Sequence, residues 1–236
     1  MSIHPRIVAH RGFTRDHTEN TLASLAAAVA LGSPAVEFDV HATLDGVWVM
    51  HHDPNLERIH GSRLAIADST LAELRAAAPI PTLAEALAVL RPGCRPMVEV
   101  KETMPRHLDA LAEVIEAAST LEPMVIVRGD LPRPARAALG DTPIYLFEKE
   151  WDRAYARRDE PIDGYDLKHD PVPDRRIAAE RARFAAAGKE IAVWTINDRA
   201  RAERWLDAGV EWVITDRPEM FPARTLPGGA GEAGEG

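Results

Sequence analysis

One cysteine, Cys94, stands among 236 residues, so no intrachain disulfide can form and no cysteine-rich zinc site can be built. Lysine is almost as scarce: Lys101, Lys149, Lys168 and Lys189 stand against 24 arginines. No apolar run is long enough to span a membrane. The opening residues 1–11 place His4, Pro5 and Arg6 early and lack the continuous apolar segment of a secretory signal. No stable membrane insertion is expected, and the expected compartment is the cytoplasm. There is no long basic run, and the net charge is −9. That argues against a nucleic-acid or anionic-membrane partner by bulk attraction. A small phosphorylated substrate stays open, because local charge decides that. Nothing in the chain addresses its oligomeric state.

What is present is an alternation. Hydrophobic residues make up 46% of the chain, enough for one sizeable core. Apolar strand-like runs are expected at 6–9, 35–40, 97–101, 124–127, 143–147, 162–166, 191–195 and 212–215. Amphipathic helical patterns fall between them at 20–31, 105–120, 134–139, 151–158, 174–187 and 199–208. Gly32, Gly188 and Gly209 stand where helices should stop. Eight such alternations favour a (β/α)8 TIM barrel, an α/β fold that occupies about 250 residues as one domain. An extra strand over 47–50 follows the turn Asp45-Gly46. Two short helices near 70–78 and 82–90 then make a small strand-and-helix insertion after the second barrel strand. The domain is expected to span 1–222. Residues 223–236, rich in Gly, Glu and Ala, are expected to form a disordered tail.

Two of these strands carry charge where a core strand should not. In Val36-Glu37-Phe38-Asp39-Val40, the acids share one face and the apolar residues the other; Glu99 and Lys101 do the same beside Val98 and Val100. One reading is two edge strands with a solvated polar face. The other is a buried cluster, in which unpaired carboxylates are very unfavourable unless they bind a cation. Glu37, Asp39 and Glu99 together would make a hard oxygen site for Mg²⁺ or Ca²⁺. The surroundings favour the cluster. His10-Arg11-Gly12 follows one strand, and His51-His52-Asp53 follows another. Histidines at strand ends beside carboxylates suit acid/base chemistry. Arg11 offers a fork of donors for phosphate, and Lys101 a compact ammonium beside Glu99. In a barrel, groups at the C-terminal ends of strands converge in space. That places His10, Glu37, Asp39, Glu99, Lys101 and Trp194 together, with Lys168 a weaker candidate.

In order, His10-Arg11-Gly12, Glu19-Asn20-Thr21, Glu37-Phe38-Asp39-Val40, Thr43-Leu44-Asp45-Gly46 and His52-Asp53 resemble the glycerophosphodiester phosphodiesterase family. The likeness continues through Ile80-Pro81-Thr82-Leu83, Glu99-Val100-Lys101, Val193-Trp194-Thr195-Ile196-Asn197 and Thr215-Asp216-Arg217-Pro218. The resemblance implies a TIM barrel that hydrolyses small-molecule glycerophosphodiesters to glycerol 3-phosphate and an alcohol. It implies a divalent metal at Glu37, Asp39 and Glu99, His10 and His52 as acid/base pair, and Arg11 and Lys101 on the phosphate. His10 is favoured as base and His52 as acid. His51 is expected to face away, with Asp53 orienting His52 or a loop. Trp194 is expected to wall the alcohol or glycerol portion. Two departures bear on substrate: the segment 71–79 is short, and Arg128-Gly129-Asp130 stands where the family often has Ser-Phe. A shorter cover suggests an open alcohol side that discriminates poorly among choline, ethanolamine and glycerol head groups. Two competing readings remain. A lysophospholipase D or sphingomyelinase D-like enzyme would use Phe13 and Trp48 as lipid-facing loop residues. A non-catalytic barrel would bind phosphorylated metabolites.

Overall fold

The structure, a computed structural model, describes residues 3–102 and 104–223. Apart from residue 223, the expected tail lies outside the described residues. Nine strands form one sheet: β1 Ile7–His10, β2 Ala35–Ala42, β3 Trp48–Met50, β4 Arg95–Val100, β5 Met124–Val127, β6 Ile144–Glu148, β7 Gly164–Lys168, β8 Glu190–Trp194 and β9 Trp212–Thr215. Eight of them, all but β3, run parallel around a closed barrel, because β1 pairs with both β2 and β9. The expected fold class is borne out.

Side-chain alternation explains the layers. Val36, Phe38, Val40, Val98, Val100, Val125 and Val127 point outward and join the main core beneath the helices. The opposite faces turn into the barrel. There Val8, Ala35, Met97, Met124, Ile126, Tyr145, Ala192 and Ile214 form a separate apolar plug. The plug fills the lower interior, so the charged residues farther along the same strands occupy the upper end. β2 is buried along all eight residues, which rules out the solvated-edge reading.

β2 also outruns its neighbour. β1 pairs with it only as far as His10↔Glu37, and β3 then takes the same edge, antiparallel, from Val40↔Met50 to Ala42↔Trp48. The backbone N–H of His51 donates to the carbonyl of Asp39 at 3.0 Å. The hand-over between β1 and β3 thus falls beside Glu37 and Asp39 and leaves room for the loop after β1. The insertion continues with α2 (Glu57–His60), α3 (Leu71–Ala77) and α4 (Leu83–Val89). Val49, Leu56, Ile66, Leu74, Ala78 and Ile80 give it a satellite core of its own. Each fully buried aliphatic side chain there contributes about 1.5–3 kcal/mol, which fixes the segment that carries His51 and His52.

The remaining helices are α1 Leu22–Leu31, α5 Leu108–Ala117, α6 Pro132–Leu139, α7 Trp151–Ala156, α8 Ile177–Ala186 and α9 Arg199–Asp207. Most boundaries fall within about two residues of those expected. Three shifts have physical causes. α1 starts at Leu22 because Thr21 is its N-cap, accepting from Ser24 N–H. α5 starts at Leu108, after a left-handed His107. β7 begins at Gly164, whose added Cβ would lie 2.6 Å from Tyr145 Cε1, while Asp163 is drawn out to Arg136 and the Ile144 N–H.

Candidate active site

The loop from β1 to α1 is wound tightly by its own sequence. Arg11 and Asn20 both take left-handed backbone conformations, with φ of 55° and 52°. Gly12 sits at φ +87°, and a Cβ there would lie 2.6 Å from the backbone carbon of Ser24. Only glycine fits that approach. The Asn20 N–H donates to the Arg11 carbonyl at 3.1 Å, and Ser24 Oγ donates to the same oxygen at 3.0 Å. Strained non-glycine residues persist where surrounding contacts over-determine them. Here those contacts aim Arg11 and Asn20 at β2.

β2 supplies the centre. Asp39 lies beside Glu99 in the β2–β4 register, with Glu37 one inward position below. Glu37, Asp39 and Glu99 each offer an oxygen within 4.8 Å of the others, all buried. Asn20 clamps Asp39 from both sides: its Nδ2 donates to Oδ2 at 2.8 Å, and its Oδ1 accepts the Asp39 N–H at 3.0 Å. Lys101 Nζ lies 2.6 Å from Asp39 Oδ1 and 2.9 Å from Glu99 Oε2. Arg11 Nε lies 3.2 Å from Asp39 Oδ2, and the Arg11 N–H donates to Glu37 Oε2 at 3.1 Å. Burial alone would raise the Asp39 carboxyl, but Lys101 and Arg11 hold it well below the usual carboxylate range. Glu37 is the reverse: burial, then Asp39 and Glu99, push it well above. Its Oε1 is buried and has no hydrogen-bond partner among the described residues. An orphaned oxygen in a three-carboxylate cluster is the donor set a hard divalent cation fits.

The histidines stand above this cluster, each steadied by an aspartate. His10 Nδ1 lies 2.6 Å from Asp216 Oδ1, and Asn197 Nδ2 donates to the other Asp216 oxygen at 2.7 Å. His10 Nε2 is left 3.8 Å from Glu37 Oε2. His52 Nδ1 lies 2.7 Å from Asp53 Oδ1, and Asp53 is gripped in turn by Arg58. Arg58 reaches Glu19, which also accepts from Arg11 Nη1 at 3.0 Å. Burial pushes the His52 imidazole below its ordinary value, with Lys101 and Arg11 adding to it against Asp39 and Asp53. The neighbouring His51 is buried, accepts the Asp53 N–H, and takes no part in the cavity.

One cavity of about 470 Å³ joins these groups. Its lining includes His10, Arg11, Glu37, His52, Glu99 and Lys101, and also Trp194, stacked on Phe147 at 5.0 Å. That volume suits a small-molecule ligand. Of the eight residues singled out from the sequence, all but Asp39 line the cavity directly; Asp39 lies just beneath, held by Lys101, Arg11 and Asn20. Lys168 does not line the cavity and is paired with Asp170 at 2.7 Å. Trp48 and Phe13 form no lipid-facing loop: Trp48 is buried with its indole N–H donating to the His107 carbonyl, and Phe13 packs on the core.

Sequence reasoning passed over several members. Asn20 reads as a helix cap, yet it serves Asp39. Asp166 and Lys149 line the cavity without any local signal, and Arg128, noticed only as a departure, donates both Nε and Nη2 to Glu99 Oε1. The inward parity of β5, β6 and β7 would have found all three.

The sequence profile of the glycerophosphoryl diester phosphodiesterase family matches residues 10–128 and 165–220. A probable glycerophosphodiester phosphodiesterase of Mycobacterium tuberculosis is 31% identical over 91% of this chain and 88% of its own length. A glycerophosphodiester phosphodiesterase of Caldanaerobacter subterraneus is 25% identical over 94% and 98%. Among solved structures, an Oleispira antarctica phosphodiesterase in complex with the product sn-glycerol-3-phosphate superposes with a TM-score of 0.78 at 24% identity, covering 92% of this chain and 95% of that one.

Proposed function

The chain belongs to the glycerophosphoryl diester phosphodiesterase family and is a phosphoric diester hydrolase, and from that premise we propose that it splits glycerophosphodiesters into glycerol 3-phosphate and an alcohol, using His10 and His52 over a divalent-cation site. One observation carries the reading. Two histidines, each bound at Nδ1 to a carboxylate, share a cavity with a buried three-carboxylate cluster.

Phosphodiesters resist hydrolysis because the phosphate is anionic and an alkoxide leaves poorly. Arg11 and Lys101 border the cavity and bring fixed positive charge to a phosphate there. Glu37, Asp39 and Glu99 would hold the cation, which supplies further positive charge against the phosphoryl oxygens. His52, depressed toward its neutral form and bound at Nδ1 by Asp53, keeps Nε2 free to take a proton from the attacking hydroxyl, either water or the glycerol 2-hydroxyl, whose attack would leave a cyclic phosphate for water to open. His10, bound by Asp216 and with Nε2 facing Glu37, is placed to give a proton to the departing oxygen as the P–O bond breaks. These environments favour the roles opposite to those first expected from the sequence. Trp194 on Phe147 supplies the apolar wall. Among the described residues no helix is long and apolar enough to cross a membrane.

Release of glycerol 3-phosphate from glycerophosphoglycerol tests the reading. EDTA should abolish it, and Mg²⁺ or Ca²⁺ should restore it. His10→Ala and His52→Ala should each lose at least about a hundredfold in turnover. Full activity after verified removal of all metal overturns the cation; no release from any glycerophosphodiester overturns the reaction.

A further inference from the structure

We propose that Asp166, Arg128 and Lys149 form a subsite for the alcohol half of the diester, and that it selects a polyhydroxylated alcohol carrying an anionic group of its own. The proposal rests on the diesterase reading above and names the substrate class of that same cavity.

The barrel sets the position. Counting around the closed sheet, β6 is the fifth of eight strands from β1, so the β5–β7 wall stands across the cavity from His10. Phe147 pairs with Asp166 in the β6–β7 register, and Val127 pairs with Leu146 on the other side. Arg128, Phe147 and Asp166 therefore lie side by side at one level. The Arg128 guanidinium lies over the Phe147 ring, 4.0 Å from its centroid. All three residues line the cavity, with Lys149 two residues beyond Phe147 at its rim.

Each polar group there has capacity left over. Asp166 is 3% exposed, and its Oδ1 has no hydrogen-bond partner among the described residues. A buried carboxyl oxygen left unpaired on a residue that lines a cavity is unfavourable until something donates to it. A substrate hydroxyl supplies that donor. Arg128 uses Nε and Nη2 on Glu99, and among the described residues its Nη1 makes no hydrogen bond. Lys101 is paired with Asp39 and Glu99, Lys168 with Asp170, and Lys189 donates to the Ile162 carbonyl. Among the described residues Lys149 alone of the four lysines has no ion pair or hydrogen bond, and it lines the cavity. Arg11 and Lys101 serve the reacting phosphate. An ammonium and a guanidinium edge across the cavity from His10 suit a second anionic group.

Three substrates separate the contributions: glycerophosphocholine, glycerophosphoinositol and glycerophosphoinositol 4-phosphate. We expect kcat/KM to rise about fivefold from the first to the second, through the hydroxyl donated to Asp166. A further rise of about tenfold to the third should come from the added charge. Asp166→Leu should erase the first step, with Asp166→Asn restoring part of it. Lys149→Glu should erase the second. The second step should also shrink in 1 M salt, as a charge effect must. Equal kcat/KM for all three overturns the subsite, as does a preference indifferent to both variants. A loss in Asp166→Leu that is the same for all three substrates places Asp166 on the shared glycerol instead and overturns the assignment. Failure to hydrolyse any of the three overturns the diesterase reading itself.

Discussion

His51 and His52 are adjacent in the chain and live in opposite surroundings, which makes the pair a sensitive test at the residue scale. Burial pushes the His51 imidazole down to about 4. In the unfolded chain it titrates near 6.5, so between those values the unfolded state binds the extra proton. Stability from this group is complete above pH 6.5 and is lost as pH falls toward 4, by up to about 3 kcal/mol at about 1.4 kcal/mol per unit. Urea midpoints at pH 7 and pH 4.5 should show that slope in the wild type and a shallower one in His51→Gln. Identical slopes would sink the account. His52 is lowered as well, and as the proposed base it must be neutral. The acid limb of kcat/KM should then fall below the ordinary histidine value of about 6.5. A limb centred above 7 would remove the base role from His52. The His51/His52 distinction was legible in the sequence because the family-like pattern places the working histidine directly before Asp53. Asp166 was not, since one acid between Tyr165 and Leu167 looks like any strand residue until the inward faces of neighbouring strands are known.

At the scale of elements, the alternation of Val36, Phe38 and Val40 with Glu37 and Asp39 was enough to give both the strand and its two faces. Whether the charged face met solvent or the barrel interior depended on closure, which no single strand encodes. Helix starts were less legible. Asn20 has the residue type of a cap, and only the backbone shows it left-handed and facing β2. The loop from β1 to α1 therefore behaves as one piece. Gly12→Ala should destabilise the protein by about 2 kcal/mol or more, through a disfavoured φ and a clash with the Ser24 backbone. It should also lower turnover at temperatures where the variant is fully folded, because Arg11 and Asn20 shift with the loop. Thermal melts and initial rates on the same sample check both parts. A variant with wild-type melting would show that the loop can relax.

For the whole molecule, eight strand–helix alternations in a chain of 236 residues made the barrel legible before any contact was known. The satellite core under the insertion was not, because its members are spread from Val49 to Ile80 and match no single period. The cation proposed for the buried carboxylate cluster would tie global stability to its binding. A ligand bound only by the folded state, at a hundred times its dissociation constant, adds about 2.7 kcal/mol. In a domain of this size that raises Tm by about 5–10 °C. Calorimetry with EDTA and then with excess Mg²⁺ or Ca²⁺ should show the rise, and Glu37→Gln should blunt it. No shift with either ion would remove the cation site. The partnership of His10 with Asp216 has a different consequence. The two residues stand at the ends of the first and last strands of the barrel, so the pair exists only once the last strand has been made and the ring has shut. On the proposed reading, activity is thus a report of completion: a product truncated before β9 should be inert rather than weakly active.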